Sequence, residues 1–273
     1  MRGVLIALAT IAFVQGAAAA DYGGGFLRGS SAYELGSPQY FRWGGVYFGG
    51  QAAYSQASVD FTDATKSLIA FSLRNLALEA GAQPSEWEVL GKSDHRAPSF
   101  GGFVGYNSQW DNVVLGLELN YNSGTFATID APLTPIRRVV TVSGNTYDAT
   151  ITGAAAMKIT DFGSVRARAA YVMGTFMPYA FVGLSVGRSN ISRTATAFGT
   201  ETTSNNVVTP FSFTDSEDRN GAFMFGWATG GGIDVALGSR LFLRTEAEFL
   251  GFAPVSGIKA SILSGRAAVG VKF

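Results

Sequence analysis

Residues 113–121 read VVLGLELNY. Val113, Leu115, Leu117, Leu119 and Tyr121 alternate with Val114, Gly116, Glu118 and Asn120, so an extended chain sends its bulky apolar side chains to one face and a carboxylate to the other. FGSVRARAAYVM at 162–173 has the same parity: Val165, Ala167, Ala169, Tyr171 and Met173 on one side, Ser164, Arg166, Arg168 and Ala170 on the other. Comparable alternation runs from Trp43 to Ser58, Ser99 to Gln109, Met177 to Arg188, Phe223 to Ala236, Leu241 to Phe252 and Lys259 to Phe273, which makes eight segments. The links between them are long and short in turn. WDN at 110–112, GTF at 174–176 and LGSR at 237–240 are the short ones. Short turns at one end and long loops at the other mark an antiparallel up-and-down transmembrane β-barrel.

Composition agrees with this reading. Charged residues are 15% of the chain, below the ~25% usual in soluble domains. Beyond the first twenty residues no run approaches the ~20 apolar residues of a spanning helix, so strands closed into a ring remain as the way across a bilayer. Zero net charge offers no footprint for nucleic acid, and the absence of cysteine removes thiol chemistry and disulfides. The N-terminus carries an export signal, with Arg2 before an apolar stretch from Val4 to Val14 and Ala18-Ala19-Ala20 before Asp21. Cleavage is expected between Ala20 and Asp21. Residues 21–42 lack either period and are expected to form a periplasmic tail, with the barrel at 43–273.

Alternation alone also suits lipocalin-like barrels and sandwiches. What separates them is the second face, which carries Glu118, Arg166, Arg168, Asp234, Arg244, Glu246, Glu248, Arg266 and Lys272. A dry soluble core would not tolerate these charges, although a sandwich exposing them to water would. Inside an eight-stranded barrel, with a lumen just wide enough for side chains, they are expected to pair as an ion network. An ion pathway is the functional competitor.

Within the first long loop, DATKSLIAFSLRNLALEAG predicts a helix over 64–80 with Asp63 as N-cap. In the second, RRVVTVSGNTYDATIT predicts a hairpin turning at Ser143-Gly144-Asn145. The third, from Ile191 to Asn220, is polar and threonine-rich and reads as a mobile loop. Trp43, Trp110, Tyr121, Tyr171, Trp227 and Phe249 are expected to girdle the barrel at the two lipid–water boundaries.

No hydrolase, zinc-protease or phosphate-loop motif occurs. His95, the sole histidine, reads as a first-loop residue beside Asp94 and Arg96; without a second axial ligand it is a weak haem candidate. Catalytic, metal and cofactor sites are therefore not expected.

Five stretches carry a family resemblance: WGGVYFGGQAAYS, GGFVGYNSQWDNVVLGLELNY, DFGSVRARAAYVMGTFMPYAFVGLSVGRS, FGWATGGGIDVAL and the final AAVGVKF. They resemble the small outer-membrane β-barrel proteins of rhizobial-type alphaproteobacteria, of OmpA and OmpX-like architecture. The resemblance implies a non-enzymatic outer-membrane protein with a structural or surface-interaction role. It implies contact with outer-membrane lipid and lipopolysaccharide, a surface partner reached through the loops, and both termini in the periplasm. Val269, Val271 and Phe273 resemble the signal read by the barrel-assembly machinery. A narrow porin-like channel and a haem or small-ligand receptor are the alternative functions.

Overall fold

The computed structural model describes residues 41–132 and 135–273. The signal peptide, the Ala20–Asp21 cleavage position and the tail up to residue 40 lie outside the described residues. Eight strands close into a ring: β1 (Gly45–Asp60), β2 (Lys92–Trp110), β3 (Val113–Asp130), β5 (Asn145–Tyr171), β6 (Phe176–Thr202), β7 (Val208–Leu237), β8 (Leu241–Phe252) and β9 (Lys259–Lys272). The short strand β4 (Ile136–Val142) pairs with β5 above the end of β3. Every neighbouring pair is antiparallel, and β9 closes on β1 from Tyr47↔Lys272 to Asp60↔Lys259.

Register partners followed once round the ring pass from Tyr47 through Gly105, Glu118, Arg166, Gly183, Ala228, Leu250 and Ile262, and return to Ala57, ten residues further along the starting strand. A stagger of this size tilts the strands by roughly 35–45° and sets the bore. It also places residues distant in sequence at one height in the lumen.

Short turns define one rim. Asp111 and Gly174 adopt left-handed backbone conformations there, with φ of 50° and 65°, as tight reversals demand. At the opposite rim the chain builds more structure than the sequence predicts. The helical insert is two helices, α1 (Lys66–Leu73) and α2 (Ala77–Ala82), followed by one 3-10 turn at Pro84–Glu86. The single helix expected over 64–80 breaks at Leu76, whose backbone is extended. Leu78 follows Leu73 by five residues, about 140° round a continuous helix. The break lets both side chains reach the same core, where each is fully buried. The helix also begins later than expected, with Thr65 rather than Asp63 at the N-cap position and no side-chain capping hydrogen bond from it.

The stretch read as a mobile polar loop is also ordered. β6 and β7 continue as a paired hairpin from Ile191↔Arg219 up to Thr202↔Val208. Threonine is β-branched and suits the wetted outer face of a strand whose other face is buried at Ile191, Arg193, Ala195 and Ala197, so polarity here signals solvent rather than irregular backbone. With β4 and the upper part of β5, these strands form a sheet standing beyond the ring. The Ser143-Gly144 turn of the β4–β5 hairpin has φ of 50° and 84°.

Which face is buried decides between barrel and sandwich. Arg166, Glu118 and Arg244 are at most 1% exposed, whereas Leu117 is 65%, Phe225 67% and Leu184 74% exposed. Charges fill the inside and large apolar side chains cover the outside, the inverse of a soluble protein. The fold is therefore a transmembrane-type eight-stranded barrel with long outer connections.

Candidate functional site

The lumen is stratified. Next to the short-turn rim an aromatic layer joins Phe41, Trp43, Tyr47, Phe103, Met177 and Phe242. Trp43 is 2% exposed, packs edge-on against Phe41 and Phe242, and donates its backbone N–H to Gln109 Oε1 at 2.7 Å. It plugs the bore and does not anchor the wall in lipid. The other expected girdle residues do face outward: Trp110, Tyr121, Tyr171 and Trp227 are exposed, and Phe249 packs on Trp227 with ring centroids 5.2 Å apart.

Above the aromatic layer lie four guanidiniums and four carboxylates, brought together from five strands. Arg166 donates to Glu118 at 3.0 and 2.5 Å, to Glu246 at 2.8 Å and to Glu248 at 3.1 Å. Arg168 reaches Glu118 and Asp234, both at 2.9 Å. Arg244 is held by Asp234 at 2.8 and 3.0 Å and by Glu118 at 2.8 Å. Arg266 pairs with Glu248 and lies 3.3 Å from Glu246, and it donates to Asn120 at 3.0 Å. The charges balance within the layer. Each buried ion would alone carry a desolvation penalty of several kcal/mol, which the reciprocal network offsets.

Lys272, expected in this network, stands apart from it. β9 is within one residue of the rim at that point, and the ammonium lies 5.4 Å from the centroid of the Phe41 ring. Parity alone could not show this, because parity gives the face and not the height.

Two tyrosines that sequence reasoning missed complete the layer. Tyr47 donates to Glu118 Oε2 at 2.8 Å and accepts from Arg168 at 2.7 Å, while Tyr179 donates to Glu246 at 2.5 Å. Their signal was present, since both have inward parity. Aromatic faces also cover the guanidiniums: Arg166 lies 4.2 Å from the Phe181 centroid, Arg168 3.9 Å from Tyr179 and Arg244 4.3 Å from Phe103.

An inward glycine makes room for each of these rings. Tyr47 opposes Gly105, Phe103 opposes Gly49, Tyr179 opposes Gly232, Phe181 opposes Gly230 and Phe242 opposes Gly270 as direct register partners. In every case a Cβ on the glycine would strike the facing side chain. Much of the glycine content of the chain thus serves to lay aromatic rings flat along the wall, as aromatic rescue of strand glycines predicts.

Uncharged polar groups form the next level, where Gln51 donates to Asn120 at 3.0 Å and Asn122 at 2.8 Å, and Ser55 meets Ser264 at 2.8 Å. A second apolar layer then fills the long-loop half of the bore, with Phe61, Phe126, Ile151, Met157, Phe162, Phe252 and Ile262 beneath Leu68, Ile69 and Leu73 of α1. Arg193 fixes this lid. It is 6% exposed and donates to the Ala64 carbonyl at 2.7 Å, Ser67 Oγ at 3.0 Å and the Ser256 carbonyl at 3.0 Å, and it pairs with Glu217. The inward parity of Ile191, Arg193, Ala195 and Ala197 would have revealed it had the strand been extended past Arg188.

His95 belongs to β2 rather than to the loop before it. It pairs in register with Ala57 and sits edge-on to Phe126 with centroids 6.5 Å apart. At the opposite rim Phe273 stacks on Phe48 at 5.5 Å and donates its N–H to the Val46 carbonyl at 2.9 Å, while Val269 is exposed and Val271 half-buried on the same outer side.

A closed antiparallel barrel with an apolar exterior and a filled lumen is the class that fold and site define. No family model and no curated protein matches the chain, so the narrower rhizobial-type resemblance rests on the quoted motifs alone. Among solved structures, the attachment invasion locus protein Ail of Yersinia pestis is 12% identical, with 84% of this chain and 99% of that chain covered and a TM-score of 0.35. Neisserial surface protein A is 14% identical over 84% and 97%, with a TM-score of 0.37. The N-terminal barrel domain of Pseudomonas aeruginosa OprF is 14% identical over 82% and 99%, with a TM-score of 0.28. At identities and scores this low, function has to be read from the lumen and the outer wall of this chain.

Proposed function

We propose that this chain is an integral outer-membrane protein whose barrel is a closed, non-enzymatic anchor, with its termini on the periplasmic side and its outer sheet and helical lid on the cell surface. The observation that carries this reading is the inversion of the barrel, apolar outside and charged inside. An apolar wall needs lipid, and a lumen filled by paired charges between two apolar layers needs no water. Both carboxylates that resemble an acid–base pair, Glu246 and Glu248, are saturated by Arg166 and Arg266. Stratification also speaks against a porin-like path, because a conducted ion would cross the Trp43–Phe242 layer and the layer under α1 without polar partners. His95 faces Phe126 inside the upper wall, which does not favour a surface haem receptor.

Structural support of the envelope and display of the outer sheet to a surface partner are the functions that remain. Membrane fractionation combined with gel migration before and after heating tests the anchor. A protein in the outer-membrane fraction that migrates faster unheated is the expected result. A soluble protein with no shift would overturn the reading.

A further inference from the structure

Four strands bend together where the outer sheet leaves the ring. The register slips by one residue at three successive pairings, between Ser123 and Phe126 on β3, between Ile159 and Asp161 on β5, and between Ser189 and Ile191 on β6. Each slip is a β-bulge, which bends its strand and re-aims the side chains beside it. The bends make a crease on the outer face that holds a cavity of about 350 Å³. Ala127 and Ile129 line it on β3, Lys158 on β5, Asn190 on β6, and Asp218 and Asn220 on β7. Farther along β6 the outward residues are Ser192, Thr194 and Thr196, so the cavity opens to water above the apolar belt.

Two full charges of opposite sign line this cavity uncommitted. Asp161, the carboxylate nearest to Lys158 along β5, accepts from Tyr121 Oη at 2.7 Å, and Arg219, next to Asp218, is engaged by Glu217. Among the described residues both Lys158 and Asp218 are thus left without an ion-pair partner. They do not pair with each other either, because they stand two strands apart, roughly 10 Å, with Asn190 and Ser192 between them. Asn190, the register partner of Lys158, is oriented by Gly221, whose N–H donates to Oδ1 at 2.7 Å and whose φ of 66° suits the bulge. Its Nδ2 hydrogens remain as donors on the cation's side. This set discriminates among ligand classes. An anion would meet Asp218, a cation would meet Lys158, and a neutral polyol would leave both charges uncompensated. A molecule carrying a carboxylate and an ammonium a few bonds apart answers both.

We propose that the crease binds a small water-borne zwitterion of the α-amino-acid class, with its carboxylate on Lys158 and Asn190, its ammonium on Asp218 and an aliphatic side chain against Ala127 and Ile129. The site needs the folded barrel and its outer sheet, and nothing from the sealed lumen. It gives the outer sheet a ligand of its own, separate from structural support of the envelope.

Saturation-transfer NMR of the refolded full chain in deuterated non-ionic micelles tests it, with L-leucine as the probe. Isocaproate and isoamylamine, which are leucine without its ammonium and without its carboxylate, and methyl glucoside serve as comparisons. Leucine is expected to give a saturable signal, and each comparison compound to bind at least about tenfold more weakly, the cost of losing a charge-assisted contact. K158Q and D218N should each weaken leucine by about the same factor. Ala127→Trp, which fills the cavity from an exposed position, should weaken it without removing charge. Lys259→Gln, on a strand across the ring, should leave it unchanged. No saturable leucine signal, equal binding by K158Q, D218N and wild type, or equal binding of a singly charged or neutral comparison compound would each overturn the proposal. Displacement of leucine by phosphatidylethanolamine added to the micelles would make the crease a lipid-headgroup contact and overturn it as well. Gel migration before and after heating is recorded for every sample. Loss of the shift in the wild type would indict the barrel reading itself, whereas a normal shift without selective leucine binding removes this inference alone.

Discussion

At Gly230 an added methyl group would lie 2.6 Å from Phe181 Cζ, under the ring that covers Arg166. Gly230→Ala is therefore expected to destabilise the barrel by about 1–3 kcal/mol, the usual range for overpacking. Gly265, where a Cβ meets nothing within 4 Å, should accept alanine within about 0.5 kcal/mol. Urea unfolding in lipid vesicles followed by tryptophan fluorescence measures both, and equal effects would refute the ring-over-glycine account. Glu118 is the hub of the charged layer, contacting three guanidiniums and Tyr47. Glu118→Ala leaves those cations short of a partner in a dry site, with an expected loss of about 3–5 kcal/mol in the same assay.

Among the elements, the lid is the one with a pH-sensitive fastening. Its hydrogen bonds from Arg193 hold the Glu217 carboxyl below its ordinary value of 4.5. A carboxyl lowered in the folded state stabilises fully above its unfolded value, and that contribution fades as pH falls through the folded value. Hydrogen exchange at 64–69 should accordingly quicken in wild type as pH falls below the ordinary carboxyl value of 4.5 and through the lowered folded value, and Glu217→Gln should be equally open at neutral pH and insensitive to the same acidification. A lid whose exchange does not respond would mean that Arg193 holds it through the Ala64 and Ser256 carbonyls alone. The outer hairpin is separable from the ring. Replacing 199–211 by a two-residue Asn-Gly turn, which would join the register partners Phe198 and Ser212, should keep the heat-dependent gel shift while removing the exposed tip around Val207 and Val208, because 199–202 and 208–211 pair only with each other and with 146–149, beyond the register that closes the ring. Loss of the shift would show that the hairpin is needed for closure.

For the molecule as a whole, the layered bore predicts silence in planar bilayers. No conductance steps are expected for wild type, even at high protein load. Regular single-channel steps would contradict the sealed lumen. Closure depends on the β1–β9 seam, which ends on Phe273 stacked over Phe48. Deleting Phe273 should slow folding into vesicles more than it lowers final stability, since one ring at an exposed rim contributes little packing once the seam has formed.

Legibility followed the reach of each signal. Strand parity is local, so the alternation in VVLGLELNY and VRAR separates two faces, whereas the meeting of Glu118 with Arg166 as register partners comes from the pairing of β3 with β5. Segment ends were less legible at 191–220, because the outward face there is polar and threonine-rich while the buried face carries the charged Arg193 and the small Ala195 and Ala197 in place of a bulky apolar stripe. The helix break at Leu76 was hidden too, as it answers to a core assembled from distant strands.

By itself the sequence determined the number of crossing segments, their antiparallel order through the short turns, and the side on which each charge would fall, because all three depend on neighbours within a few residues. Only the tertiary structure decided height. The ten-residue stagger round the ring sets Glu118, Arg166, Asp234, Arg244, Glu246, Glu248 and Arg266 at one level, leaves Lys272 at the rim, and turns Trp43 from a wall residue into a plug. Height comes from closure of the sheet on itself, a constraint that exists only once β9 has found β1.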